Sequence, residues 1–360
     1  MRILVLGSTG YLGTHVVEGL RALPGVLVLG GGRAPTAEYA IDLATVRREE
    51  LAKTLASAAP DTVINCAGAT GGDPVTLAEV NARGPAVLCA ALREAAPGAR
   101  LVHLGSAAEY GPGVPDVRVT ESAATRPLAP YGATKLAGTV AVTTSGLDAV
   151  VLRVGNPVGP GAPPTGLPGR IAGLLRTAGP DAVLPLGDLS AHRDFVDVRD
   201  VARAVSLAAT APGPLPPILN IGGGRAVPVR EVVRGLADKA GFRGRITENP
   251  AGTGASAGTG PADSTGATDP ATSPAASRAA SPAFSRAADA ADAAEPPGSA
   301  EVVGSVRSAD VSWQCSDITA AEAALGWRPV HTLDDALTAL WESGGGGKVG
   351  GGGEKGDRTP

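Results

Sequence analysis

Short apolar runs alternate with longer amphipathic stretches from the first residue onward. Arg2–Leu6 is rich in β-branched and aliphatic residues and predicts a strand, and Tyr11–Leu23 predicts a helix ended by Pro24-Gly25. Further strands are expected at Val26–Leu29, Thr62–Asn65, Leu101–Leu104 and Val150–Val154. The helices between them are expected at Thr45–Ala58, Val75–Ala95 and Tyr131–Thr144. This alternation predicts an α/β fold, a Rossmann-type doubly wound parallel sheet with helices on both faces.

Beyond Asn156 the rhythm loosens. Pro157, Pro160, Pro163, Pro164 and Pro168 mark a loop before helices at Ile171–Thr177 and Val198–Ala209. A strand at Ile218–Ile221, a helix at Val229–Ala240 and a strand near Arg245–Thr247 follow, and Asp317–Leu325 and Leu333–Ser343 read as closing helices. Between them, 42 of the 50 residues 251–300 are Ala, Gly, Ser, Thr or Pro. Such a tract lacks the apolar mass to offset chain entropy and is expected to be a disordered low-complexity insertion. Residues 344–360, with nine glycines, read as a flexible tail.

Composition adds mainly exclusions. A formal net charge of −4 gives no electrostatic reason to bind nucleic acid or an anionic membrane, and no apolar run is long enough for a spanning helix. Cys66, Cys89 and Cys315 have no metal-like spacing, so no metal is expected and a reducing, cytoplasmic setting is implied. His103 lies on an apolar strand and reads as a core histidine, and His192 as a loop histidine. Trp313, Trp327 and Trp341 are expected to pack the carboxyl-terminal region.

The first candidate chemistry is Gly7-Ser8-Thr9-Gly10-Tyr11-Leu12-Gly13, between a predicted strand and a predicted helix. Glycines there permit a tight turn, let backbone approach a pyrophosphate and allow close helix–strand packing, with the phosphates at the positive end of the helix dipole. The end of the second strand reads Leu29-Gly30-Gly31-Gly32-Arg33, without the acid that would accept from a ribose 2′-hydroxyl. Arg33 could pair with a 2′-phosphate, which favours NADP(H) and leaves NAD(H) open.

Tyr131 and Lys135 share a face of a predicted helix at i and i+4. A nearby ammonium stabilises tyrosinate and lets the phenol exchange a proton. Ser106 lies just past a predicted strand, at the carboxyl edge where open α/β sheets bind ligands, and its hydroxyl could donate to a substrate oxygen.

Together these residues resemble the extended short-chain dehydrogenase/reductases of the NAD(P)-dependent epimerase/dehydratase family. The resemblance runs from Met1 to about Ser343, and its segments are Gly7/Gly10/Gly13, Asp42-Leu43, Val80-Asn81-Ala82-Arg83-Gly84, and Ser106-Ala107-Ala108-Glu109-Tyr110-Gly111 with Tyr131 and Lys135. It implies a cofactor site that includes Thr9, Tyr11, Leu12, Asp42, Leu43, Ala67, Asn81, Tyr131 and Lys135, with Ser106, Tyr131 and Lys135 catalytic. Leu152–Pro160 and Arg193–Asp200 resemble family segments from which Asn156 and Arg193 are expected to hold a substrate diphosphate. Arg307 is expected to join them, in a segment where Ser308 replaces the family's proline. The implied organisation is a mainly NAD(P)-binding Rossmann domain over 1–155 and a mainly substrate-binding, smaller α/β region over 156–250 and 301–343, with some segments returning to the Rossmann domain. A homodimer is also implied.

Within the family, 4,6-dehydratases carry Asp-Glu where this chain has Ala107-Ala108, so dehydration is not expected. The Glu109-Tyr110-Gly111 ending and the acid-free second strand look most like GDP-4-keto-6-deoxy-D-mannose reductases and related NDP-4-ketohexose reductases. The expected activity is NADPH-dependent reduction of a nucleotide-linked 4-keto-6-deoxyhexose at C4, with Tyr131 as proton donor. The alternatives are an NAD-dependent nucleotide-sugar 4-epimerase and a non-catalytic NADP-binding sensor or scaffold on the same fold.

Overall fold

The computed structural model describes residues 1–248 and 312–344; Arg307, the 251–300 tract and the tail beyond 344 lie outside the described residues. The strands are β1 (Arg2–Leu6), β2 (Leu27–Gly32), β3 (Tyr39–Ala40), β4 (Thr62–Asn65), β5 (Arg100–Ser106) and β6 (Ala149–Val154). Then come β7 (Asn156–Val158), β8 (Val183–Leu186), β9 (His192–Asp197), β10 (Ile218–Ile221), β11 (Ala226–Pro228) and β12 (Arg245–Glu248). A seven-stranded sheet has the order β10-β6-β5-β4-β1-β2-β3, and every pairing in it is parallel. The chain runs outward from β1 through β2 and β3, then turns back to β4 on the other side. That reversal is the switch point at which open α/β sheets leave a ligand crevice.

The helices are α1 (Tyr11–Arg21), α2 (Arg48–Ala58), α3 (Pro74–Ala78), α4 (Gly84–Ala95), α5 (Pro130–Thr143), α6 (Leu167–Thr177), α7 (Val198–Thr210), α8 (Val229–Lys239), α9 (Thr319–Leu325) and α10 (Leu333–Ser343). A strand buried on both faces must be apolar throughout, as β1 is. Ile3 and Val5 pack with Val16 and Leu20 of α1 and Val201 and Val205 of α7. Leu4 and Leu6 pack oppositely, with Leu51 and Leu55 of α2 and Leu88 and Leu92 of α4.

A third core joins Ile171 and Leu175 of α6, Val232 and Leu236 of α8, and Leu337 and Leu340 of α10 against Phe195 of β9. Over it lie a three-stranded sheet, β11-β9-β7, and the pair β12-β8. The segment after residue 312 therefore serves both parts. Trp327 is fully buried in the core beneath α7, its indole donating to the Asp200 carbonyl at 2.9 Å, while α10 completes the third core.

Three expectations are corrected. The second strand does not end at Leu29 but runs through Gly32, because Val5 and Leu6 of β1 pair with Gly30 and Gly31. The single helix expected over 75–95 is divided by a wide turn at Glu79–Arg83. Pro85 has no N–H to give the Asn81 carbonyl, and that carbonyl instead lies against Gly138, where a Cβ would be only 2.2 Å away. The stretch after Asn156, expected as loop, contains β7 with Pro157 inside it. Among the described residues, no helix is long and apolar enough to cross a membrane.

Candidate active site

The glycine turn stands at the switch point. Gly7 has φ +74°, which favours glycine, and its N–H donates to the Gly31 carbonyl at 2.8 Å. A Cβ at Gly13 would sit 2.0 Å from the Gly7 carbonyl oxygen, so helix and turn close only with glycine there. Gly10 caps α1 with no side-chain hydrogen bond, leaving the first-turn amides of Tyr11, Leu12 and Gly13 directed out of the helix. A turn that closes against backbone only with glycine at positions 7 and 13, with a helix amino terminus open beyond it, fits a dinucleotide pyrophosphate.

Gly30 and Gly32 face this turn. A Cβ on Gly30 would be 3.2 Å from Ser8 Oγ, whereas one on Gly31 would run into Leu6 in the core. Arg33 follows β2 directly and is exposed, as is Thr9. Asp42 spends one carboxylate oxygen on the Ala44 N–H at 3.1 Å, and Leu43 is buried in the core. The Arg83 guanidinium donates to the carbonyls of Ala44 and Val46, each at 3.0 Å, which ties the 42–46 loop to the turn before α4. Tyr11 and Leu12 are half-buried. Burial, and after it the charge of Asp197, pushes the Tyr11 phenol far above its ordinary range.

The expected catalytic residues converge on the end of β5. Ser106 is the last residue of β5 and caps the single turn Ala107–Glu109. Its hydroxyl accepts from the Ala108 N–H at 3.2 Å, and its own N–H donates to Glu109 Oε1 at 2.8 Å. The first turn of α5 packs onto this turn so closely that a Cβ on Gly132 would be 2.5 Å from the Ala108 carbonyl oxygen. Tyr131, half-buried, therefore stands beside the Ser106 turn. One helical turn on, the buried Lys135 ammonium donates to the Leu104 carbonyl at 2.5 Å. Burial pulls the Lys135 pKa down, and the nearby charge of Glu109 opposes it.

Glu109 does more than close the Ser106 turn. Its Oε2 accepts from Arg153 Nε at 2.8 Å, with both side chains almost wholly buried, and Arg153 lies over the Tyr110 ring at 4.5 Å. The signal in the sequence is local: Ser106-x-x-Glu109 is a capping-box spacing. Asn81, expected at the cofactor, is a clamp. Its Oδ1 accepts the Ala69 N–H and its Nδ2 donates to the Ala69 carbonyl, both at 2.9 Å, with a longer bond to Thr134 Oγ1 at 3.3 Å. Ala67, in the same loop, lies against the glycine turn, its N 2.8 Å from where a Gly7 Cβ would be.

In the three-stranded sheet, β7 and β9 pair in parallel, which sets Asn156 opposite Phe195, two positions along β9 from Arg193. Asn156 Nδ2 donates to the Asp194 carbonyl at 3.1 Å and to Gln314 Oε1 at 2.9 Å. Both its hydrogens are thus taken, and the side chain reaches a ligand with a donor only when Gln314 yields. Gln314 was not anticipated, because nothing local marks a residue 158 positions away. Arg193 is 7% exposed, and burial pulls its guanidinium down to about 10. Asp194 accepts the Gly223 N–H at 2.6 Å and the Ser316 N–H at 2.9 Å, which fastens the segment after residue 312 to β9. Burial outweighs these donors and raises its carboxyl to about 6. His192, expected in a loop, is instead the first residue of β9, paired with Pro228 of β11, and it stacks on Trp313 at 4.8 Å.

The model of the NAD dependent epimerase/dehydratase family matches residues 3–222. The chain belongs to this family. A dTDP-6-deoxy-L-talose 4-dehydrogenase (NAD(P)(+)) from Kitasatospora kifunensis is 34% identical over 355 residues, 94% of either chain. The structure of RMD from Pseudomonas aeruginosa complexed with NADPH covers 95% of this chain and 98% of its own, at TM-score 0.69 and 22% identity. A Thermus thermophilus UDP-glucose 4-epimerase in complex with NAD covers 97% of this chain and all of its own, at TM-score 0.71 and 24% identity. The likeness to these two structures is one of fold. As a family member with the glycine cradle in place, the chain is an NAD(P)-dependent enzyme.

Proposed function

We propose that the protein is an NADPH-dependent reductase of nucleotide-linked 4-keto-6-deoxyhexoses, acting at C4. The observation that carries this is the meeting of Ser106, Tyr131 and Lys135 at the end of β5, with alanine at both positions after the serine. Ala107 and Ala108 have no proton to give or take, which leaves one acid in the site and suits addition to a carbonyl better than elimination of water. The 34% identity to a 4-dehydrogenase of a dTDP-6-deoxyhexose supports the same chemistry.

When bound, the nicotinamide supplies the hydride. The Ser106 hydroxyl, whose lone pair is occupied by the Ala108 N–H, directs its proton to the C4 oxygen and polarises the carbonyl. Tyr131 passes its phenolic proton to the same oxygen as charge develops there. The Lys135 ammonium, anchored on the Leu104 carbonyl, stabilises the phenolate left behind. Arg193 and Asn156, with Arg307, hold the diphosphate, Asn156 once Gln314 releases its amide. Arg33, at the open end of β2, pairs with a 2′-phosphate, so NADPH is preferred.

The test is consumption of NADPH against NADH, followed by absorbance, with dTDP- and GDP-linked 4-keto-6-deoxyhexoses. Stoichiometric oxidation of NADPH is expected. A protein that purifies with bound cofactor and interconverts 4-epimers with none added is an epimerase instead. One that binds NADPH and turns over no keto sugar is a sensor or scaffold.

A further inference from the structure

Asn81 is not the sole clamp on the loop between the glycine turn and Lys135. Asn65, at the end of β4, accepts the Ala67 N–H on Oδ1 at 3.1 Å, and its Nδ2 lies 3.1 Å from His103 Nδ1. With Oδ1 committed to a backbone donor, Nδ2 is the donor to the ring and Nδ1 the acceptor, so the imidazole proton sits on Nε2. His103 is 1% exposed, and burial, reinforced by the Lys135 charge, holds it well below its ordinary pKa. The ring stays neutral and its Nδ1 lone pair stays available.

Two further facts separate this from core packing. The buried His103 Nε2 has no hydrogen-bond partner among the described residues. An unpaired buried N–H costs free energy that an apolar side chain there would not, so packing alone does not account for a histidine. The group at the other end of the chain of bonds, the Ala67 peptide, lies at the centre of the site. A Gly7 Cβ would be 2.8 Å from Ala67 N, and a Gly68 Cβ 3.9 Å from Lys135 Nζ. The loop therefore runs between the pyrophosphate cradle and the lysine, held at Ala67 by Asn65 and at Ala69 by Asn81.

We propose that His103 is a positioning residue of the cofactor site: by accepting from the Asn65 amide, it fixes the Ala67 peptide against the Gly7 turn and keeps the floor beneath the cofactor in one geometry. The proposal rests on reading the cleft as a nicotinamide-dinucleotide site. Removing the acceptor frees the Asn65 amide to rotate, and the ordering of the loop is then charged against cofactor binding.

The experiment is fluorescence titration of the full-length protein with NADPH and NADH, without sugar, alongside thermal melts. His103→Leu removes the acceptor at similar bulk and should weaken binding of the preferred cofactor by roughly three- to tenfold, the effect of one hydrogen bond. His103→Gln, which returns a carbonyl acceptor, should recover most of it. Asn65→Ala should show the same loss, and the double variant should be no weaker than either single one. Should His103→Leu not fold, Asn65→Ala carries the test from the other side of the bond. Wild-type affinity in a folded His103→Leu or Asn65→Ala protein overturns the proposal, as does a loss in His103→Leu that His103→Gln does not repair. A wild-type protein that binds neither cofactor overturns the reading of the cleft itself, a different and recognisable result.

Discussion

At the scale of single residues, the division of labour in the site is sharp enough to test. In the proposed mechanism Tyr131 carries the proton, whereas Lys135 is tied to the Leu104 carbonyl and the glycine turn is made of backbone. Tyr131→Phe keeps the ring and removes the proton. Turnover of a 4-keto sugar should fall by roughly 10²- to 10⁴-fold, the span of general acid catalysis, with NADPH affinity unchanged within twofold by titration. Turnover near wild type would remove Tyr131 from the chemistry. The residues legible in the sequence are those whose signal is local: three glycines after a strand, or a phenol and an amine one helical turn apart. Glu109 with Arg153, Asn65 with His103, and Asn156 with Gln314 are pairs made by strand pairing or chain return. No spacing rule reaches across 44, 38 or 158 positions.

At the scale of elements, long buried strands were legible because they are apolar on both faces, and short charged ones were not. The strand β9, His192–Asp197, begins with His-Arg-Asp, yet it sits at the centre of the three-stranded sheet β11-β9-β7. Its order comes from partners on either side and from Asp194, whose carboxylate fastens the Gly223 and Ser316 amides. That carboxyl is raised from 3.8 to about 6, mainly by burial. A carboxyl bound more tightly to its proton in the folded state contributes stability that is complete below its unfolded pKa and is lost as pH rises through the folded one. Between pH 4 and pH 7 this residue alone should therefore cost the wild type about 2–3 kcal/mol. Urea unfolding at the two pH values compares wild type with Asp194→Asn, which cannot titrate. The variant should gain that amount relative to wild type on going from pH 4 to pH 7, and parallel behaviour of the two proteins would show that the carboxyl is not perturbed.

At the scale of the whole molecule, the chain crosses between its two parts several times, and the crossings after residue 312 are anchored independently of what precedes them. Gln314 N–H bonds to the His192 carbonyl, Ser316 N–H to Asp194, and the Val330 and His331 amides to Asp200, while Trp327 is fully buried. On the other side, β12 is held by four parallel register pairs with β8. Both ends of the 249–311 connection are thus fixed by contacts outside it. The composition of 251–300 offers almost no apolar mass to bury, and on composition alone its expected contribution to stability is the entropy of closing a long chain. Closure entropy scales as three-halves RT times the logarithm of length. Excising 251–300 shortens the 63-residue connection 249–311 to 13 and should stabilise the protein by about 1.4 kcal/mol. Thirteen residues still span roughly 40 Å when extended, and Arg307 is retained. The expected result is a slightly higher melting temperature with unchanged NADPH affinity and turnover. A loss of stability would mean that the tract packs on the folded parts, and a raised KM for the sugar alone would mean that its length sets where Arg307 can reach.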